Sequence, residues 1–434
     1  MNLKTIINHS YMKKDLLFVI DSLHCAGAEK SLISLLSLID YSKYNVDLQL
    51  FGYGGILENI LPKEVNLLEP LKYTQFTKMS FKDEILYSIK RLNFRMLISR
   101  IKYSLNIRKN NGKHKHSQLA RIFWQSVSKS IENNPKKYDI AISYAQGIPT
   151  FYVADKINAD KKFAWVNTSY HLLEEDKIFQ KQYYDKYDKI VTVSDSAKDI
   201  FINTFPCYED KTTIIYDINN YNMIYNMSLL KGSYNDNFNG IRILTIGRIA
   251  QGKRYDIAVD ACKILKEKGI NFRWYVLGDG DLRPEIEKQI QSNNLQDIFI
   301  LLGVKPNPDP YIKDCNIYVQ TSEFEGFGLA IAEARMLNIP VVTTEFDAVY
   351  NQMIQGKNGL VVKQDPFAVA EAIELLLNDK DLYQEIQEFQ KNEKKGNLEE
   401  IEKFYNLINI NNYEEILIAN FVSNIYVTAN TKGN

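Results

Sequence analysis

Two α/β domains facing across a cleft are what this sequence predicts, on three observations. The chain has 434 residues, enough for two or three domains. Near its third quarter an apolar, β-prone run (Ile317, Tyr318, Val319) stops at Thr321-Ser322. A turn, Glu325-Gly326-Phe327-Gly328, follows; LAIAEARML then reads as a helix opening at about Leu329, before a strand over 340–344. The chain also opens on this strand–loop–helix plan: Leu16 to Ile20, a small-residue loop through Gly27, the helix SLISLLSLI, and a second strand over 46–51.

Bulk composition narrows the function classes. Lys and Arg number 53 against 53 Asp and Glu, so no global field points to nucleic acid. Four cysteines (Cys25, Cys207, Cys262, Cys315) lie far apart without metal-ligand spacing and read as buried free thiols in a reducing cytoplasm. All five histidines (His9, His24, His114, His116, His171) precede residue 172, which excludes a histidine-ligated metal from the second half. The apolar run after Lys13-Lys14 is too short for a signal-peptide core. No stretch approaches the length that spans a bilayer.

Taken in order, residues 1–14 are a polar, frayed leader. An insert over about 72–137 carries 16 Lys/Arg against three acids (Asp83, Glu84, Glu132). Within it Phe81, Ile85, Ile89, Leu92 and Met96 recur at helical spacing among Lys90, Arg91, Arg95, Arg100 and Lys102. Two readings stand side by side: a helix lying on an anionic membrane surface, or a solvated helix packing its apolar face on the sheet. Residues 106–116 read as a polar loop; its His114 and His116 have no further ligands nearby. Strands return at 138–144, 163–166 and 189–193. Ser194-Asp195 then opens a helix, which puts the first domain at 1–204. A polar Asn/Tyr-rich connection occupies 205–240, and the interdomain cleft is the natural ligand site.

The second domain, 241–400, starts with the strand 241–246 and a glycine turn carrying two cations five residues apart, Arg248 and Lys253. At the carboxyl end of a strand in a doubly wound sheet, that is where ligands sit. Arg brings a fork of donors to phosphate oxygens and Lys a point charge. Next, GDGDLRPE hints at a dinucleotide fingerprint but fails it, with Arg283 in the third glycine slot. In the central turn, first-turn amides lack intrahelical partners and the helix dipole adds partial positive charge, which suits an anion. Glu325 and Glu333 bracket that point, so hydrogen-bond acceptors flank an anion cradle. Such a place fits a phosphorylated ligand rich in hydroxyls. Residues 401–434 read as a helical tail.

Glu325, seven residues and Glu333, with Gly-Phe-Gly after the first, resembles the signature of retaining glycosyltransferases of family 4. The strand Ile317-Tyr318-Val319 and the later Gly356-Lys357-Asn358-Gly359-Leu360-Val361-Val362 are also similar to that family. The resemblance implies the GT-B architecture of two Rossmann-like domains, with the final helix returning to the first domain. It implies that Gly27-Ala28-Glu29 lies close to the donor phosphate and the acceptor, and that Arg248 and Lys253 are the pyrophosphate pair. By the same analogy Glu325, Gly326, Phe327, Gly328, Leu329 and Glu333 bind the donor, backbone near Gly303 meets the nucleobase, and Gly278-Asp279-Gly280 shapes the cleft floor. Asn167 occupies a slot that holds histidine in relatives; it hydrogen-bonds but carries no proton. His171 is the other candidate for that work. Ala348-Val349 and Gln352 stand where relatives have Gly and Glu.

The function so implied is metal-independent, retaining transfer from a nucleotide-diphosphate sugar, a UDP-sugar first among them, to a glycan acceptor. The catalytic group is Arg248, Lys253 and Glu325. The basic stripe points to a lipid-linked glycan in surface polysaccharide or capsule assembly, at the cytoplasmic face of the membrane. Two alternatives are a nucleotide-sugar epimerase of the same architecture and a non-catalytic partner that stabilises an active transferase.

Overall fold

The computed structural model describes residues 13–24, 26–109, 116–167 and 172–409. It contains two wholly parallel sheets. The first has seven strands: β1 (Lys14–Ile20), β2 (Tyr44–Leu50), β3 (Val65–Leu67), β4 (Lys137–Ser143), β5 (Asn158–Val166), β6 (Lys189–Thr192) and β7 (Thr212–Ile214). Their spatial order is β3-β2-β1-β4-β5-β6-β7. The second has six: β8 (Ile241–Ile246), β9 (Phe272–Leu277), β10 (Phe299–Gly303), β11 (Ile317–Gln320), β12 (Val341–Thr344) and β13 (Gly359–Val362), in the order β10-β9-β8-β11-β12-β13. Each sheet reverses its winding once, between β1 and β4 and between β8 and β11. In open α/β sheets the crevice beyond the strands' carboxyl ends at that reversal is the ligand site.

The sequence explains the parallel pairing. Helices cover both faces of each sheet, so strands read as continuous apolar runs. Leu16, Leu17, Phe18 and Val19 are fully buried, as are Val341, Val342, Thr343 and Thr344. Each sheet therefore carries two cores, one per face.

Several elements depart from the sequence expectation. Strand β7 and the helix Tyr221–Ser228 lie inside the segment read as a polar connection. Ile190 to Thr192 recruit β7 into the first sheet. Helices Phe81–Lys90 and Arg95–Lys109 form a pair in the basic insert, so residues 106–109 are helical rather than loop. Cys262 and Cys315 are buried, but Cys207 is exposed, in the turn after Phe205. The readings placed on residues 1–12, Cys25, His114, His171 and 410–434 lie outside the described residues.

The chain crosses between the domains twice. Residues 215–220 lead out of the first domain, and 393–400 lead back. The two crossings are tied together: the Asn219 amide donates to Asn397 Oδ1 at 2.8 Å, and Asn397 Nδ2 donates to the Asp217 carbonyl at 2.9 Å. After the return, residues 400–409 are helical and pack into the first core. Phe404 is fully buried there, its ring 6.1 Å from that of Phe18.

Candidate active site

The cleft holds a cavity of about 550 Å³ that takes its walls from both domains. Gly27, Lys30, Asn167 and Asp217 come from the first domain and the first crossing. Arg248, Lys253, Glu325, Gly326, Phe327, Gly328, Leu329 and Glu333 come from the second. Ten of the eleven residues singled out by sequence therefore line one cavity. Gly303 does not; its neighbours Val304 and Lys305 do. A second cavity of about 720 Å³ opens toward the first domain, sharing Asn167, Arg248, Lys253, Glu325 and Gly326 and adding Asp21, Gln146 and Gln180.

The central turn is built by glycine. Gly328 caps the helix Leu329–Met336 in the left-handed region, at φ 82°. Its carbonyl accepts from the amides of Ile331 and Ala332, leaving the amides at Leu329 and Ala330 aimed out of the helix. Gln352, which departs from the family pattern, donates from Nε2 to the carbonyls of Phe327 and Gly328 and so braces this turn from behind.

The two expected phosphate cations are not in equivalent states. Lys253 Nζ pairs with Glu325 Oε1 at 2.5 Å. That oxygen also accepts from Ser322 Oγ at 2.6 Å and Gln320 Nε2 at 2.8 Å, so Glu325 is locked by three donors on one oxygen. Arg248 is exposed, lines both cavities, and has no ion-pair partner among the described residues.

Asn167 is fixed by its surroundings. Its amide nitrogen Nδ2 donates to the Tyr144 carbonyl at 2.7 Å and its backbone N–H to Gln146 Oε1 at 3.0 Å. Oδ1 is buried and without a partner among the described residues. This side chain thus keeps an unused acceptor, Oδ1, beside an amide nitrogen anchored to the Tyr144 carbonyl.

Glu333 sits deeper than its neighbour. Lys30 Nζ donates to Glu333 Oε1 at 2.9 Å and to Asp309 Oδ1 at 2.8 Å, and all three side chains are at most 6 % exposed. Burial and the nearby Asp309 push the Glu333 carboxyl upward, against the pull of Lys30. Asp217 is also buried, which raises it to about 7. Burial and the charge of Glu29 raise Asp21 to about 7. Glu29 itself accepts from Ser22 Oγ and the Ala26 amide, and so shapes the loop before Gly27.

Sequence reasoning missed Lys30, Asp217 and Asp309. A lysine in the first turn of the helix GAEKSLISLL, ahead of its apolar run, was the available signal for the first; the two aspartates gave none. Asp279-x-Asp281 is also an acidic pair at the cleft. Asp279 lines the cavity, yet its Oδ1 accepts from the Gly280 amide at 2.9 Å and lies 3.5 Å from Arg283. Glycines 278 and 280 press against the backbone of Gly247 and Ile249, the packing role expected of them.

The basic insert also differs in detail from its expected stripe. Ile85 and Met96 are half-buried, and Arg100 turns inward to the buried Glu84. Phe81, Ile89 and Leu92 of that stripe are exposed, and Leu86, Ile98, Ile101 and Leu105 are exposed with them, with Lys90, Arg91, Arg95 and Lys102 beside them. No helix among the described residues is long and apolar enough to cross a membrane.

Comparison with known proteins places these features. Residues 230–393 match the family described as Glycosyl transferases group 1. An uncharacterized glycosyltransferase of Methanocaldococcus jannaschii is 29% identical over 201 residues, 44% of this chain and 50% of that protein. The capsular polysaccharide biosynthesis glycosyltransferase CapM of Staphylococcus aureus is 29% identical over 209 residues, 45% of this chain and 54% of CapM. The chain thus spans about half the length of these curated relatives. Among solved structures, a mutant of S. aureus TarM in complex with Fondaparinux, alpha-GlcNAc-glycerol and UDP superposes with a TM-score of 0.62 at 16% identity, over 91% of this chain and 100% of that one. Anabaena HepE in complex with UDP and glucose gives 0.62 at 17% identity, over 91% and 98%. The two-sheet architecture is the GT-B fold of these glycosyltransferases.

Proposed function

We propose that this chain is a glycosyltransferase that moves a sugar, with retention, from a nucleotide-diphosphate sugar to a glycan acceptor in surface polysaccharide synthesis. One observation carries the reading: Arg248, Lys253, the first-turn amides at Leu329 and Ala330, Glu325 and Glu333 all face a single interdomain cavity. Solved neighbours of this fold hold UDP, and CapM belongs to capsular polysaccharide biosynthesis, which favours a UDP-sugar and a surface glycan.

In this mechanism the bond from the sugar's anomeric carbon to the leaving phosphate breaks, and the acceptor hydroxyl bonds to that carbon from the same face. Its proton passes to the departing phosphate. Charge growing on that phosphate meets Arg248, Lys253 and the amides, which stabilise it more than the ground state. These cations take the role a metal has in other transferases. Glu325 Oε2 and Asn167 Oδ1 accept sugar hydroxyls; Glu333 accepts from the ribose. The larger cavity toward Asp21 receives the acceptor.

A lipid-linked acceptor fits the apolar, basic-rimmed face of the helix pair 81–109, which would rest on an anionic membrane surface. Flotation with phosphatidylglycerol vesicles tests that part: wild type floats, Ile98→Glu/Ile101→Glu does not, and no flotation of wild type removes the argument. The donor site is tested by calorimetry over UDP-, GDP- and ADP-sugars with and without Glu333→Ala. Saturable binding of one nucleotide class, weakened by the substitution, is expected. No binding of any donor would reject the transferase reading and favour a non-catalytic partner.

A further inference from the structure

Lys30 has no role in the scheme above, yet it is the most constrained cation of the cleft. Its ammonium belongs to the first domain and is 5 % exposed; its partners Asp309 and Glu333 belong to the second, 279 and 303 residues away in sequence. A buried ammonium persists only when paired and hydrogen-bonded. Here two carboxylates share one ammonium, and Asp309 Oδ2 is left without a partner among the described residues.

The approach of the two domains at this point is set by glycine. A Cβ on Gly27 would lie 2.6 Å from Leu329 Cδ1. Gly27 and Lys30 stand three residues apart on the helix Gly27–Leu36, hence on one face of it. One contact sets the helix against the donor turn, and the other reaches one turn deeper to Glu333. Glu333 lines the cavity while Lys30 occupies its Oε1. Its second oxygen, Oε2, has no described hydrogen-bond donor.

We infer that Lys30 is a positioning residue for donor recognition: from the first domain it fixes Glu333 of the second so that Oε2 accepts the ribose hydroxyls, making ribose recognition conditional on closure of the cleft. This rests on the donor-binding reading of the same cavity. The carboxylate alone, beside Asp309 and away from water, would have neither a fixed rotamer nor a compensated charge. Lys30 supplies both.

The test uses the full chain and whichever of UDP, GDP or ADP binds it most tightly, together with the 2′-deoxy form of that nucleotide. Calorimetry is run on wild type, Lys30→Met and Lys30→Arg, with melting temperatures recorded for each. Wild type should prefer the ribonucleotide by about tenfold or more, the weight of a hydrogen bond to a charged group. Lys30→Met should reduce that preference to about twofold or less, and Lys30→Arg should restore most of it. If Lys30→Met does not fold, Lys30→Gln, which keeps a donor but no charge, takes its place with the same expectation. A ribose preference that survives the substitution, or equal losses for both nucleotides, overturns the inference while leaving the donor site intact. Absence of any nucleotide binding by wild type overturns the donor reading and this inference with it.

Discussion

Replacing Arg248 with alanine tests the proposal that its charge holds the donor diphosphate. Lys253 is already committed to Glu325 in the structure, whereas Arg248 is exposed and unpaired among the described residues. Two unit charges about 4 Å apart attract by about 4 kcal/mol at an effective dielectric near 20. Solvent at an exposed guanidinium lowers that figure, and measured hydrogen bonds to charged groups contribute about 1.5–3 kcal/mol. The nucleoside diphosphate should therefore bind roughly 10- to 100-fold more weakly to Arg248→Ala. The nucleoside monophosphate, which lacks the terminal phosphate, should lose much less. Arg248→Ala strands no carboxylate, so its melting temperature should match wild type, as for most surface substitutions. Calorimetry at physiological salt, with both nucleotides on both proteins, gives the four affinities needed. Equal losses for mono- and diphosphate, or no loss at all, would refute the assignment of Arg248 to the diphosphate.

Three further substitutions probe the frame of the site. Gly328→Ala forces a Cβ into the left-handed region, at about 1–2 kcal/mol, and sets it 2.9 Å from Gln352 Nε2; lower melting temperature and weaker nucleotide binding are expected, and unchanged binding would show that the turn tolerates tilting. Asp217→Asn tests a buried acid raised to about 7 from an ordinary 3.8. Because the folded state holds that proton more tightly, the group stabilises the protein below about pH 4, and this contribution is lost as pH rises through 7. The variant should thus gain on wild type between about pH 4 and 7, by at most about 1.4 kcal/mol per pH unit, and level off above that; a pH-independent difference would contradict the buried acid. Phe404→Ala empties a fully buried site and should cost about 3–5 kcal/mol. Unfolding followed by tryptophan emission should shift earlier for the half containing Trp165, whose ring lies 6.3 Å from Phe404; no shift would mean that residues 400–409 contribute little to that core.

Most of the architecture is written locally. Apolar runs such as Leu16 to Ile20 and Phe272 to Leu277 are strands because both faces are covered, and the turn before Leu329 is legible because glycine permits a backbone that other residues resist. What stayed hidden depends on partners far apart in the chain. Nothing around Thr212-Thr213-Ile214 announces a seventh strand until Ile190 to Thr192 offer it an edge. Arg100 looked like a surface cation in an alternating stripe, but Glu84 draws it inward, and only the packing of two helices reveals this. Glu333 was placed correctly on its helix and at the cavity, while its engagement by Lys30 required the other domain. Asn167 shows the opposite case: the residue type signalled a departure, and the structure shows its amide nitrogen anchored to the Tyr144 carbonyl with Oδ1 left without a partner among the described residues.

The second crossing bears on how the molecule is made. Ile401, Phe404, Leu407 and Ile408 belong to the core built by the first domain's strands. During synthesis the residues that begin this domain emerge first, but its core closes only after the whole second domain has left the ribosome. Until then the surface around Phe18 and Trp165 stays uncovered and open to association with other nascent chains. A frameshift or stop between Val362, where β13 ends, and residue 400 would therefore act as a lesion of the first domain, although it removes nothing from the strands of either sheet.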